Sequence, residues 1–226
     1  MLLISATGAW RSGHPGAMIG LLELSGLQND DPQHCLEEPK RKIEAGLRHR
    51  CQGFSRSDFL SLPVMAAYEG YYRRFDKTFH VLLQVESLVL KGKHLPAVSP
   101  LVDANFMAEV ETFILTAGHD ADRLVPPVQI DSSRDGDRFT QMNGTQKIIR
   151  VGDMIMRDAQ GIACSILYGQ DDRSPISAVT RHVLYVAYVP PGIPLEVVQI
   201  HLQNIEEIVR LFCPTAILES SQVIQA

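Results

Sequence analysis

The chain has 226 residues, of which 45% are hydrophobic and 21% are charged, and its formal net charge is −5 at pH 7. This composition predicts one large domain with a sizeable core, and it is not the composition of a disordered chain. It also argues against a DNA-binding protein, because such proteins usually carry a clear positive excess. We therefore expect no DNA partner.

The charges are distributed unevenly along the chain. Residues 40–93 contain eleven Lys and Arg against five Asp and Glu, whereas residues 111–226 contain nine against fourteen. The basic stretch is typical of a surface that faces phosphates, and it is equally typical of solvated helical faces.

Cysteine spacing and hydropathy predict where the protein is found. The four cysteines include no pair with the two-residue spacing of a zinc or redox motif, so we expect free thiols in a reducing compartment. No apolar run reaches the roughly 18 residues that cross a bilayer. The first residues also lack the basic lead and long apolar core of a signal peptide. These features predict a cytoplasmic protein with no membrane partner.

The first half of the chain predicts one strand followed by helices. Residues 17–25 are largely apolar between two glycines, which favours a strand, and residues 29–33 form a turn-rich break. The spacing of apolar residues then predicts four helices: 36–50 with Pro39 in its first turn, one opened by Pro63, 79–90 ended by Lys91-Gly92, and 105–116.

The second half predicts antiparallel strands and a final helix. Asn143-Gly144 predicts a type I′ hairpin turn between residues 139–142 and 145–149. Another strand pair is predicted at 153–157 and 162–168, a strand covered on both faces at 182–189, and an amphipathic helix at 196–212. Helices followed by antiparallel strands indicate the α+β class.

Seven short motifs occur in a fixed order along the chain: Pro15-Gly16, Tyr72-Arg73-Arg74, Leu90-Lys91-Gly92, Leu95-Pro96, Val102-Asp103, Asp120-Ala121-Asp122-Arg123-Leu124 and Tyr168-Gly169-Gln170. This series resembles the B3/B4 domain of the phenylalanyl-tRNA synthetase beta subunit, in a free-standing form, from about residue 13 to about residue 189. The resemblance implies an antiparallel β-barrel or sandwich-like core wrapped by helices. We expect one domain over residues 1–226, with an N-terminal strand-helix arm of about residues 1–60.

The resemblance also implies a ligand pocket, because in the synthetase this module hydrolyses wrongly charged tRNA. The pocket is expected between the helix after Asp103 and the turn at Gly169. Its expected residues are Asp103, Asn105, Gly118, His119, Gly169 and Gln170. The positions of the family's His, Glu and Asn fall here on Ala117, Gln170 and Phe106, so the groups associated with hydrolysis are replaced.

The replaced positions leave His119 as the candidate catalytic residue. A histidine can shuttle protons near neutral pH, although His119 can equally be a half-buried residue that takes the place of an aromatic. Gln170 can form hydrogen bonds but cannot act as a general base. Asp103 precedes a predicted helix, so an N-cap role competes with a role in the pocket.

Asp120, Asp122 and His119 together offer oxygen and nitrogen ligands to a divalent ion. The resemblance favours structural roles for the two aspartates. We therefore predict no metal and no cofactor.

Five basic residues are the candidates for contact with RNA phosphates: Arg73, Arg74, Lys91, Lys93 and Arg123. Tyr71, Tyr72 and Phe75 lie beside two of them, where aromatic rings either stack on an unpaired base or belong to the core.

Together these features predict a free-standing RNA-binding module that binds tRNA or an aminoacyl ligand. It is not a complete ligase, since no phosphate-binding Gly-rich loop with a following Lys is present. One alternative is a trans-acting deacylase that hydrolyses mischarged aminoacyl-tRNA. Another is a sensor of a free amino acid or similar small molecule, which the net acidity favours. A homodimer that packs through the amphipathic C-terminal helix is a further expectation.

Overall fold

The computed structural model describes residues 1–29 and 34–226. Residues 30–33, which hold most of the break predicted at 29–33, lie outside the described residues. The helices are α1 (Gly8–Gly13), α2 (His34–Arg50), α3 (Arg56–Ser61), α4 (Pro63–Arg73), α5 (His80–Val89), α6 (Pro100–Thr112) and α7 (Leu195–Phe212). The strands are β1 (Ile4–Ala6), β2 (Met18–Ser25), β3 (Thr116–Asp120), β4 (Val128–Ser132), β5 (Arg138–Thr140), β6 (Gln146–Ile148), β7 (Met154–Asp158), β8 (Gly161–Ser165), β9 (Gly169–Gln170), β10 (Val183–Val189) and β11 (Ile217–Gln225).

The four-stranded sheet has the order β11-β2-β10-β3. Its centre is β10, every residue of which is buried, and β10 pairs antiparallel with β2 on one side and with β3 on the other. Apolar residues on both faces of β10 explain this position, since a strand covered on both sides needs them. The prediction of a covered strand at 182–189 is confirmed.

The five-stranded sheet has the order β1-β4-β7-β8-β9, in which β1 and β4 are parallel and the other neighbours are antiparallel. Among the described residues the strands form separate open sheets and not one closed barrel. The α+β, sandwich-like core wrapped by helices is therefore confirmed in its open form. Both β1 and β2 are paired within these sheets, and the division into a core and an N-terminal arm stays a prediction.

Helices α2 and α6 have boundaries that differ from the prediction. Helix α2 already begins at His34, so Pro39 lies inside the helix and not in its first turn. Helix α6 begins at Pro100 and not at Asn105, because Ser99 is its N-cap and proline is well suited to a first helical position. The predicted end at residue 116 is also wrong, since Thr116 starts strand β3.

The hairpin of β5 and β6 forms as predicted, but its turn is of another type. The Gly144 N–H donates to the Gln141 carbonyl at 2.8 Å, and Gly144 has a φ of 78°. Asn143 does not have a positive φ, which a type I′ turn requires of both central residues. The loop is instead the longer kind, in which one glycine takes the left-handed conformation after the turn.

Helix α7 covers one face of the four-stranded sheet. Its apolar stripe includes Val198, Leu202, Ile205 and Val209, all of them buried, and the helix packs on α6 and β2. Gly20 of β2 permits this approach, because an added Cβ would lie 3.0 Å from Val198. The stripe is thus covered within the chain, and the homodimer stays a prediction.

No helix in the described residues combines the length and the apolar character that crossing a membrane requires. The four cysteines are not joined in disulfides.

Candidate functional site

A cavity of about 380 Å³ lies between α6, the start of β3 and the β8–β9 turn at Gly169. This volume is in the range of small-ligand sites in proteins. Its walls are mainly apolar. The lining residues are His80, Gln84, Val98, Val102, Asn105, Phe106, Glu109, Leu115, Thr116, Ala117, Gly118, Met142, Cys164, Ser165, Ile166, Gly169, Gln170, Ile176 and Tyr188.

One face of α6 forms the polar part of the wall. Val102, Asn105, Phe106 and Glu109 all line the cavity, which is the i, i+3, i+4, i+7 spacing of a single helix face. Asn105 and Glu109 are four residues apart, so their side chains lie next to each other on this face. Both are buried, with 7% and 2% of their surface exposed.

The backbone of Thr116 holds both of these side chains. Its carbonyl accepts from Asn105 Nδ2 at 3.0 Å, and its N–H donates to Glu109 Oε1 at 2.8 Å. The Thr116 hydroxyl is itself 2.6 Å from His201 Nε2 of α7. We call these four residues, Asn105, Glu109, Thr116 and His201, the Thr116 clamp.

Two polar atoms of the lining residues are buried without a hydrogen-bond partner: Gln84 Oε1 and Asn105 Oδ1. The Tyr188 hydroxyl, by contrast, is hydrogen-bonded to the Cys164 thiol. The Asn105 amide nitrogen is used by Thr116, which leaves its oxygen as an acceptor. Unpaired buried polar groups are rare and costly in folded proteins, so a group of them around one cavity indicates a site for a polar ligand group.

Within residues 1–29 and 34–226, Glu109 is the one carboxylic acid that lines the cavity. Burial raises its pKa to about 8, and the single bond from the Thr116 N–H opposes that rise only in part. In the empty cavity the group is therefore mainly neutral at pH 7.

Gln170 joins the β9 turn to β3. Its Nε2 donates to the Gly118 carbonyl at 2.7 Å and to the Ser174 carbonyl at 2.9 Å. These two bonds use both hydrogens of the amide group. Gln170 and Gly118, which were both predicted for the pocket, thus lie together at the cavity wall with Gly169.

His119 is fully buried beside this wall and is not among the lining residues. Its Nδ1 lies 2.8 Å from the Ser174 hydroxyl. That hydroxyl donates to Asp171, and Gln170 Nε2 lies 3.0 Å from the same Nδ1, so the predicted pocket residues His119 and Gln170 are in contact. The buried Nε2 of His119 has no partner. Burial and the nearby Arg173 lower the pKa of His119 to about 3. A fully buried imidazole with so low a pKa is neutral near pH 7, which argues against proton shuttling, and the catalytic role of His119 stays a prediction.

Asp103 lies on another face of α6 and outside the cavity lining. Its Oδ2 is 2.7 Å from Lys40 Nζ, and its Oδ1 accepts from the Val98 N–H at 2.9 Å. Both side chains of the ion pair are fully buried. The N-cap interpretation of Asp103 is wrong, because Ser99 takes that position and Asp103 lies in the first turn.

Asp120, Asp122 and His119 are directed to different partners. Asp120 accepts from the Asp122 N–H and from the Thr180 hydroxyl, while Asp122 contacts His182. Among the described residues no three His, Cys, Asp or Glu side chains are placed to hold a metal ion.

Ser165 and Asp153 form a second buried polar contact at the cavity. The Ser165 hydroxyl donates to Asp153, which also accepts from the Tyr71 hydroxyl at 2.8 Å. Burial raises the pKa of Asp153 to about 7. The contact contains no histidine, so it is not a Ser-His-Asp arrangement.

The five candidate RNA-contact residues are all exposed. Arg73 and Arg74 lie at the end of α4, which contacts the start of α5 through Tyr72 and His80. Lys91 and Lys93 follow the other end of α5, about 15 Å away for a helix of this length. Arg123 lies in a short 3-10 helix after β3 and contacts the Arg173 carbonyl at 3.3 Å.

The aromatic residues beside Arg73 and Arg74 belong to the core. Tyr71, Tyr72 and Phe75 are at most 5% exposed. The Tyr71 hydroxyl donates to Asp153, and the Tyr72 hydroxyl donates to the Ile166 carbonyl at 2.6 Å. They are therefore not available to stack on a base.

Sequence reasoning missed Glu109, Gln84 and Tyr188. The signal for Glu109 was present, since it follows Asn105 by four residues on a helix that is otherwise largely apolar. The predicted helix 105–116 contained both residues, but the sequence does not show that Glu109 lacks a cation partner. Gln84 and Tyr188 lie on α5 and β10, and only the tertiary packing brings them to the cavity.

The fold and the site define an α+β domain with a mainly apolar cavity between a helix and a sheet edge. Residues 71–204 match the family described as the B3/4 domain. This is more than half of the chain, so the chain belongs to the B3/4 domain family. The resemblance to the module of the phenylalanyl-tRNA synthetase beta subunit is thereby confirmed.

A solved structure is also similar: an N-terminal fragment of the phenylalanyl-tRNA synthetase beta subunit from Pyrococcus horikoshii. The two chains share 8% identity with a TM-score of 0.47, over 98% of this chain and 50% of the fragment. This chain thus spans about half the length of that fragment. No curated protein matches the sequence.

Proposed function

We propose that the protein binds the aminoacyl end of tRNA, with the amino-acid side chain inside the cavity. The observation that carries this proposal is the group of unpaired buried acceptors around an apolar space of about 380 Å³. An amino acid has an apolar body and polar groups at one end, which suits such a site.

Membership of the B3/4 family relates the chain to a tRNA synthetase, which supports tRNA as the partner. The exposed cations at the ends of α4 and α5 supply charge for RNA phosphates, with Arg123 as a further candidate. Each phosphate contact of this kind adds to a salt-dependent affinity. The net charge of −5 means that RNA contact depends on these local groups.

Binding without hydrolysis is the form of the proposal that the residues favour. Ala117 and Gln170 stand where the family resemblance places His and Glu, and both hydrogens of the Gln170 amide group are already used within the protein. Glu109 is mainly protonated at pH 7, so it is a poor general base there.

The experiment compares charged and uncharged tRNA by gel shift, over a set of amino acids, and measures released amino acid in the same samples. We expect charged tRNA to bind at least about tenfold tighter for one or a few amino acids, which corresponds to about 1.4 kcal/mol. Ala117→Leu, which fills the cavity, should remove this difference. Ala159→Leu is the matched control, because Ala159 lies in an exposed turn outside the cavity lining.

Equal binding of charged and uncharged tRNA, unchanged by Ala117→Leu, would overturn the proposal. Release of amino acid above the blank would favour the trans-acting deacylase. Thermal stabilisation by a free amino acid, with no gel shift of tRNA, would favour the sensor.

A further inference from the structure

We propose that Asn105 and Glu109 form the subsite for the primary ammonium group of the ligand. The inference rests on the proposed function and adds to it: the ligand must carry a free amine, and a site other than the predicted His119 and Gln170 recognises it. The chemical class is a primary ammonium attached to an apolar side chain.

The first argument is the polarity of the cavity. The polar atoms without partners at Asn105 and Gln84 are oxygens that only accept hydrogen bonds. Among the described residues no Lys or Arg lines the cavity, and Glu109 is the one lining residue that can become an anion near pH 7. An ammonium group has three donors and no acceptor, so it complements such a wall.

The second argument is the geometry of the Thr116 clamp. One residue, Thr116, uses its carbonyl for Asn105 and its N–H for Glu109. The two side chains are therefore both held at the backbone of one residue, and each keeps one oxygen that Thr116 does not use. Gln84 adds a third oxygen from α5, which packs against α6.

The third argument is the state of Glu109. A carboxyl group with a pKa near 8 needs no cation beside it at pH 7, because it is mainly neutral there. When a cation binds, the carboxyl group loses its proton to solvent and forms an ion pair with the ammonium. Binding at pH 7 should therefore release close to one proton per ligand.

Other titratable groups near Glu109 are few. The residues that line the cavity include His80 of α5, Cys164 of β8 and Tyr188 of β10, while Tyr68 of α4 and His201 of α7 lie behind it. Burial raises the pKa of Cys164 to about 12 and lowers that of His201 to about 3, so neither titrates near pH 7.

The first test uses the charged tRNA that the protein prefers and the same tRNA after N-acetylation, which removes the ammonium charge. We expect acetylation to weaken binding by about tenfold or more, the loss typical of one charge-assisted contact. Glu109→Gln should bind both forms about equally, because Gln cannot form the ion pair with the ammonium. Gln can still accept from the Thr116 N–H, so the Thr116 clamp is kept. Glu207→Gln, on the exposed side of α7, is the matched control.

The second test counts protons without RNA. L-Phenylalaninol and L-leucinol carry the ammonium as their only charge, and calorimetry in two buffers of different ionisation enthalpy measures the protons released. We expect close to one proton for the wild type and none for Glu109→Gln. Gln84→Leu should weaken binding of the amino alcohol severalfold, and both variants should bind N-acetyl forms as the wild type does.

The outcomes separate the two proposals. If charged tRNA is preferred but acetylation has no effect in the wild type, the ammonium subsite is overturned and the proposed function stands. If Glu109→Gln leaves the effect of acetylation unchanged, the subsite is also overturned. If charged and uncharged tRNA bind equally and no amino alcohol binds, both proposals fail.

Discussion

Two buried acidic side chains of α6, Asp103 and Glu109, differ in whether a cation lies beside them. Asp103 has an ion pair with Lys40 and a bond from the Val98 N–H, so its charge is fully compensated. Glu109 has one backbone N–H and no cation, and it lines a cavity. The difference teaches that burial alone does not identify a functional acid. A buried carboxylate with an ion-pair partner holds the fold together, whereas a buried carboxyl group without a cation marks a place where a ligand can supply one.

The largest effect on stability should come from removing the cation of the Lys40–Asp103 ion pair. Lys40→Met leaves the Asp103 carboxylate buried and unpaired, which should lower the free energy of unfolding by about 3–5 kcal/mol. Urea denaturation measures it. Lys40→Met with Asp103→Leu should recover most of the loss, because replacing both partners leaves no buried charge. A double variant as unstable as the single one would show that the pair has a further role.

A smaller effect is expected where an amide is fully used within the protein. Gln170→Glu places a carboxylate against the Gly118 and Ser174 carbonyls, to which the amide group now donates. We expect a loss of about 1–3 kcal/mol in unfolding free energy at pH 7, the cost of unpaired buried acceptors. Gln170→Glu at wild-type stability would mean that the turn at Gly169 is not held by these bonds.

Glu109, which has no cation beside it, should make the stability of the folded protein depend on pH. The folded-state pKa of Glu109, about 8, lies above its ordinary value of 4.5, so the folded protein binds more protons than the unfolded chain between these values. The contribution of Glu109 to the free energy of unfolding is fully present below about pH 4.5 and declines as the pH rises toward 8. Glu109→Gln should therefore show a smaller fall in Tm from pH 5 to pH 8. Asp153 contributes a similar fall in both proteins, so the difference isolates Glu109.

The smallest effect on stability is expected at the exposed cations. Arg73→Ala and Lys91→Ala should each change the unfolding free energy by less than about 0.5 kcal/mol. Each should reduce the slope of log affinity for tRNA against log salt by about one if that side chain contacts a phosphate. A slope unchanged in both variants would place the RNA elsewhere.

The fold was largely predictable because its signals are local. The apolar runs of β2 and β10 and the apolar stripe of α7 predicted these elements within about one residue. The predicted starts of α2 and α6 were wrong, because the proline near each start is compatible with more than one helical position. The sheet order was not accessible, since it depends on long-range pairing such as β1 with β4.

The site was predictable only where the family motifs reach it. Asn105, Gly118, Gly169 and Gln170 lie at the cavity, and His119 lies just behind it. Asp103 could not be assigned from the sequence, because its partner Lys40 is 63 residues away. Glu109 has an ordinary place in a helical pattern, and only its lack of a partner in three dimensions makes it notable.

The Thr116 clamp has a consequence for how a ligand is selected. Asn105 and Glu109 are already held in one conformation, because α7 fixes Thr116 through His201 and Thr116 fixes both side chains. A ligand then avoids the ordering entropy of about 0.5–1.5 kcal/mol for each mobile side chain. Such a preorganised wall discriminates by rigid fit, and it cannot adjust to an amine placed an ångström out of position.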